Sequence, residues 1–236
     1  MENEKTMSVK EKIENFWYHY KWHTIVAAVV VIIAAIVLSQ LLTKPKYDAH
    51  ILYAGDTQIR NTSVDGDVPH YQKLISSLKK VVNDENGDGS IDISLQALYA
   101  LTEEQLAQIS SDKTAQISLA LTDSETLESA LVVGEYYVCL LSEELFFKND
   151  AIYDGAMFEP LEKYATGESI DYEYASPRGI YLRSLPYSEF IDLPGDTVLC
   201  LRSLNGYTQS INGKSNKQAF ATGERVITNI LNFEAN

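Results

Sequence analysis

The stretch of this chain whose residue types and spacing point to definite chemistry is Asp84-Glu85-Asn86-Gly87-Asp88-Gly89-Ser90-Ile91-Asp92. It follows D-x-[DN]-x-[DN]-G-x-[ILV]-x, in which alternate oxygen-bearing side chains turn inward and a glycine allows the sharp bend of a Ca²⁺ loop. Asp84, Asn86, Asp88, Ser90 and Asp92 are therefore the candidate calcium ligands. The twelfth position, where such a loop carries a bidentate Glu, is Leu95, and a strand follows where a helix is usual. Two readings stay open: a truncated loop that takes a ligand from elsewhere, or a tight turn made by the Asn-Gly and Asp-Gly steps.

Motifs for catalysis are missing from the sequence. It has no G-x-S-x-G, no H-E-x-x-H and no P-loop, and beyond residue 47 the only histidines are His50 and His70. Ser76 and Lys79 match Ser-x-x-Lys, a pairing that one turn of helix often makes by chance. Glu103 with Glu104, and Glu143 with Glu144, fall in the first turns of predicted helices, where the helix dipole favours acids without any catalytic role. The two cysteines, Cys139 and Cys200, each stand alone in an apolar strand and match no zinc or redox motif. They read either as small core side chains or as a pair bridged across adjacent strands.

Binding is the chemistry that remains, and its location follows from topology. In α/β sheets ligands collect beyond the carboxyl ends of the strands. That singles out Asp56 and Thr57 after the first strand, Ser142 and Glu143 after the strand of Cys139, and Arg202 after the strand of Cys200. Arg178 and several tyrosines are expected to line the same cleft.

The elements that must place these residues are legible from hydrophobic period. Tyr47 to Ala54 alternates as a strand, and Val68 to Asn83 repeats apolar residues as a helix. Ser90 to Tyr99 predicts a second strand. Thr102 with Gln105 makes a capping box that opens a helix. Ala115 to Leu121 is ambiguous, and a second box, Thr122 with Glu125, predicts a helix closed by Gly134. Tyr136 to Leu141 and Thr197 to Leu204 are apolar throughout, as buried central strands are. Gly179 to Leu185 predicts a short strand, Ser210 to Ser215 a turn around Asn212-Gly213, and Lys217 to Phe233 a closing helix.

Ahead of this domain lies Ile25 to Leu42, IVAAVVVIIAAIVLSQLL, which holds no charge. As a helix it is ~27 Å long, close to the ~30 Å of hydrocarbon in a bilayer. The chain thus divides into a cytoplasmic amphipathic head (1–24), a transmembrane helix (25–42), a short tether (43–46) and an extracytoplasmic α/β domain (47–236). Ile13, Phe16, Trp17 and Tyr20 share one face of the head, and the aromatic run FWYHYKWH suits the headgroup layer. Four lysines precede the span and two closely follow it, which places the N-terminus inside. An apolar run this long with no A-x-A-like site after it is expected to stay as an anchor rather than be cleaved as a signal.

The 236-residue chain carries 33 acids against 19 Lys and Arg, a formal charge of −14. Residues 48–236 alone hold 29 acids and 13 bases, or −16. Such a surface repels phosphate backbones and excludes nucleic acid as a partner.

From Tyr136 onward the phrases EYYVCLLSEELF, MFEPLEKY, GIYLRSLPY and TVLCLRSL before a final helix resemble one lobe of an extracellular solute-binding protein of the periplasmic type II class. With the YHYKWHT-then-span head, the whole chain is similar to uncharacterised single-pass membrane proteins of Gram-positive anaerobes. The resemblance implies a mixed or mostly parallel sheet flanked by helices, reduced from two lobes to one. The expected function is a non-catalytic, membrane-anchored binding module for a small molecule. The alternative is an accessory subunit of an envelope complex that docks a protein. No cofactor is implied other than the calcium of the Asp84 loop.

Overall fold

The computed structural model describes residues 8–42, 46–59, 68–167, 170–204 and 206–234. The chain divides into two compact units, Met1–Lys46 and Tyr47–Asn236.

The first unit is one helix, α1 (Val9–Leu42), 34 residues long. At ~1.5 Å per residue it runs ~51 Å, so the aromatic head and the apolar run form one unbroken rod. From Glu14 to Ser39 it is long and apolar enough to cross a membrane. Val29, Val30, Val31 and Ile32, which point around the helix in 100° steps, are between 49% and 66% exposed. A helix with no hidden stripe is what a bilayer accommodates and a soluble core does not.

The second unit is a six-stranded mixed sheet in the order β2-β1-β3-β6-β5-β4. The strands are β1 (Ala49–Gly55), β2 (Ile93–Tyr99), β3 (Val138–Leu141), β4 (Tyr174–Ser176), β5 (Gly179–Tyr181) and β6 (Val198–Leu201). β1 is parallel to both β2 and β3. β6 runs antiparallel to β3 and to β5, and β4 antiparallel to β5.

Alternation along each strand feeds two separate cores. Ile51 and Tyr53 of β1, Val138 and Leu140 of β3, and Leu199 and Leu201 of β6 face helices α2 (Val68–Leu78) and α6 (Gly206–Leu231). Leu52, Ala54, Cys139, Leu141, Val198 and Cys200 face α4 (Thr114–Val133) and α5 (Glu143–Ile152). The result is a three-layer α/β/α stack.

The capping box before α3 (Glu103–Gln108) forms as predicted, the Thr102 N–H donating to Gln105 and the Gln105 N–H to the Thr102 hydroxyl. The second box does not. α4 runs unbroken through the ambiguous Ala115–Leu121 stretch, and the Thr122 hydroxyl donates back to the Ser118 carbonyl at 3.0 Å. Burial of Ala120, Asp123, Leu127, Ala130 and Leu131 explains this, because their spacing is helical and tertiary packing overrides a local start signal. Gly134 does end the helix. Asn212-Gly213 likewise lies within α6 and not in a turn. A mid-helix glycine costs about 1 kcal/mol, which a 26-residue helix absorbs.

β2 is an edge strand, and side chains occupy part of that edge. The Tyr71 hydroxyl donates to the Leu95 carbonyl, and the Tyr99 N–H donates to the Asp123 carboxylate at 2.7 Å. Both contacts stand where a further strand would pair.

Candidate functional site

The reversal of direction between β3 and β6 divides the predicted ligand residues between opposite edges of the sheet. Leu201 pairs with Val138, so the carboxyl end of β6 lies at the amino end of β3. Gly179 and Cys139 both pair with Cys200, which puts Arg178 beyond that same edge. Asp56, Thr57, Ser142 and Glu143 sit at the other, carboxyl edge.

At the carboxyl edge those four residues do come together. The Ser142 N–H donates to the Ala54 carbonyl at 2.9 Å, tying the ends of β1 and β3. This is the point where the chain leaves β1 for β2 on one side and later returns to β3 on the other, the usual place for a crevice. Here Tyr53 fills much of it: a Cβ on Gly55 would lie 2.8 Å from the Tyr53 hydroxyl and 3.6 Å from Ser142 Cβ. Burial raises the Tyr53 phenol to about 12, with a Thr57 hydrogen bond opposing the shift. Ser142 precedes α5 but its hydroxyl does not cap the helix and has no hydrogen-bond partner among the described residues. The Tyr181 hydroxyl donates to Glu143 at 2.6 Å, a bond that raises the phenol above its ordinary value. Tyr53 and Tyr181 are thus the members of this edge that strand-end reasoning missed. Alternation within β1 and β5 carried the only signal.

Arg202 is a different kind of residue from the ligand group expected. It is fully buried, and its guanidinium donates to the carbonyls of Leu131 (2.8 Å), Ala130 and Gly134 at the carboxyl end of α4. It lies over the Tyr137 ring at 4.3 Å. Burial pushes its pKa down, and the negative end of the helix dipole holds the charge. Arg202 is therefore a helix cap with no access to a ligand. Arg178 pairs with Asp150 at 3.6 Å.

The amino edge also contains a hollow that the sequence did not announce. It has a volume of about 180 Å³ and is walled by Tyr47 to His50, by Glu85 and Asn86 of the Asp84 loop, by Glu135 and Val138, and by Gln218, Ala219, Thr222 and Gly223 of α6. That is room for about six waters at ~30 Å³ each. His50 stands edge-on between the rings of Tyr47 and Tyr136 and lies 3.8 Å from Glu135.

Asp48 builds the wall nearest the loop. One of its carboxylate oxygens accepts the N–H groups of Glu85 (2.9 Å) and Asn86 (3.1 Å), and the other accepts that of Asp92 (2.7 Å). Arg225 of α6 grips Glu85 with two hydrogen bonds, of 2.8 and 2.6 Å. Nothing local marks Asp48, because its partners lie about 40 residues away.

Within the loop, the Asp84 carboxylate accepts from the N–H groups of Gly87 and Gly89, Asn86 from Asp88, and Asp88 from Ser90. The Ser90 hydroxyl bonds both Asp88 and Asp92. Gly87 and Gly89 have φ of 72° and 84°, which glycine adopts freely. Leu95, at the twelfth position, is buried in β2. Among the described residues no group of three or more His, Cys, Asp or Glu side chains is gathered to hold a metal.

The fold class defined here is a three-layer α/β/α domain preceded by one long apolar helix. Compared with family models, with curated proteins and with solved structures, the chain matches none.

Proposed function

We propose that this chain is a membrane-anchored, non-catalytic binding module, one lobe of the solute-binding type, that holds a small polar ligand outside the cell. The observation that carries this is the hollow of about 180 Å³ at the amino edge, lined by residues from four separate segments. A concave site with a few convergent polar groups is what small-molecule recognition requires. Its size restricts the ligand to a small one. The ionisable groups in its wall already hold partners, Asp48 with three N–H groups, Glu85 with Arg225 and Glu135 with His50. Such groups hold the shape of the wall. The Ile25–Leu38 part of α1, apolar all round, supports anchoring, and the lysine bias supports a cytoplasmic N-terminus.

The docking alternative rests on Phe147, Ile152 and Tyr153, which are between 38% and 60% exposed on and just after α5.

A thermal-shift screen of small polar metabolites on the full chain in detergent tests the first reading. A ligand at 100 times its Kd stabilises by about 2.7 kcal/mol, which raises Tm by roughly 5–10 °C. The shift should disappear in Tyr47→Ala and Gln218→Ala, both at exposed positions of the wall. No hit, together with a membrane protein that co-purifies through α5, would favour the docking subunit.

A further inference from the structure

Cys139 on β3 and Cys200 on β6 stand directly opposite each other in the antiparallel ladder. Their position is the seam of the sheet, where the parallel strands β2-β1-β3 meet the antiparallel strands β6-β5-β4. Both side chains enter the same layer, beside Leu127, Leu131 and Phe146. Both are fully buried, and both are free thiols. The Cys200 thiol donates to the Cys139 carbonyl at 3.6 Å.

The spacing suits a covalent bond. The Arg202 N–H donates to the Tyr137 carbonyl at 2.8 Å, and two steps along the ladder Cys139 and Cys200 form the next hydrogen-bonded pair. Such pairs have Cα atoms ~5.5 Å apart, inside the ~4.4–6.8 Å that a disulfide spans. In such a pair the Cβ atoms lie at the wide end of ~4.5–5.5 Å, so closing to the ~3.5–4.5 Å of a disulfide asks for an approach of about 1–2 Å and no change of register.

We propose that Cys139 and Cys200 are an oxidisable pair that closes into a cross-strand disulfide, stapling the parallel half of the sheet to the antiparallel half. The oxidant is a second disulfide, carried by a small thiol compound or by a thiol–disulfide exchange protein. One cysteine thiolate attacks the donor S–S bond and forms a mixed disulfide, releasing one donor thiol. The other cysteine then displaces the second donor thiol. Two S–H bonds and the donor S–S bond break and one protein S–S bond forms. The donor takes up the two electrons and the two protons. Burial and the neighbouring Cys139 raise the Cys200 thiol well above its ordinary value, so the attacking thiolate is scarce in the closed fold. Oxidation therefore waits on opening of the β3–β6 ladder and is slow at room temperature.

The test uses the full chain in detergent, held with oxidised glutathione just below its thermal transition, then quenched, unfolded and treated with a maleimide. The expected product is a monomer lighter by two hydrogens that takes no label until it is reduced, and then takes two. Closing a loop of this length should raise Tm by roughly 10 °C over the reduced form. A Cys139→Ala variant treated in the same way should show no such rise. A monomer that still takes two labels at saturating oxidant would overturn the proposal, as would accumulation of glutathione adducts or intermolecular dimers in place of the internal bond. The labelling of the unaltered chain decides this whether or not the variant folds.

Discussion

The two edges of the sheet are built from similar materials and end up doing different things. At the carboxyl edge, four polar residues converge where β1 and β3 part, yet Tyr53 occupies the crevice between them. At the amino edge, where α/β sheets seldom hold ligands, Asp48, the Asp84 loop and α6 enclose open space. A second difference traces to β6, which enters the sheet antiparallel. Its end then delivers Arg202 to the amino edge, where α4 consumes it as a cap. What an edge leaves open depends on its neighbours, and strand direction decides which neighbours it has.

Removal of Arg202 should disturb the amino edge most. Arg202→Ala leaves buried carbonyls of α4 without donors and opens a void over Tyr137. A loss of about 4 kcal/mol is expected, read from urea unfolding of the full chain in mild detergent. Arg202→Lys should recover only part of it, because an ammonium cannot fork to three carbonyls.

Asp48→Ala comes next. It takes the acceptor from three backbone N–H groups, so a loss of about 3 kcal/mol is expected. Faster hydrogen exchange should be confined to the segment around Asp84 to Asp92. A loop that stays protected would mean that Arg225 and the internal turns hold it without Asp48.

The carboxyl edge has an alkaline signature. Tyr53 titrates near 12 in the folded chain and near 10 when unfolded. Its contribution is therefore complete below pH ~10 and is lost as pH rises from ~10 through 12. Up to about 3 kcal/mol is involved. Tyr53→Phe should flatten that part of the stability curve without altering the curve near neutrality by a similar amount.

Calcium should have the smallest effect. The loop oxygens already serve the loop's own N–H groups, and Leu95 removes the twelfth ligand. If binding is as weak as a millimolar Kd, 1 mM calcium adds about 0.4 kcal/mol, or roughly 1 °C in Tm. A shift of several degrees would identify the loop as a working calcium site.

Much of this protein follows from local pattern alone. The unbroken apolar helix, the apolar strands β1, β3 and β6, the capping box at Thr102 and the stop at Gly134 are all set by neighbours within a few residues. A hydrophobic period or a cap is a short-range property and can be read directly from the sequence. Tertiary structure decided the rest. Ala115 to Leu121 joined α4 because the sheet needed a continuous buried stripe, and Asn212-Gly213 was carried within α6. Asp48 became the clamp of a loop about 40 residues away, and Arg202 became a cap through a strand whose direction no local signal encodes. Pairing, direction and enclosure are properties of segments far apart in the chain. Where they govern, residue type states only what a side chain is able to do, and the fold determines whether it does it.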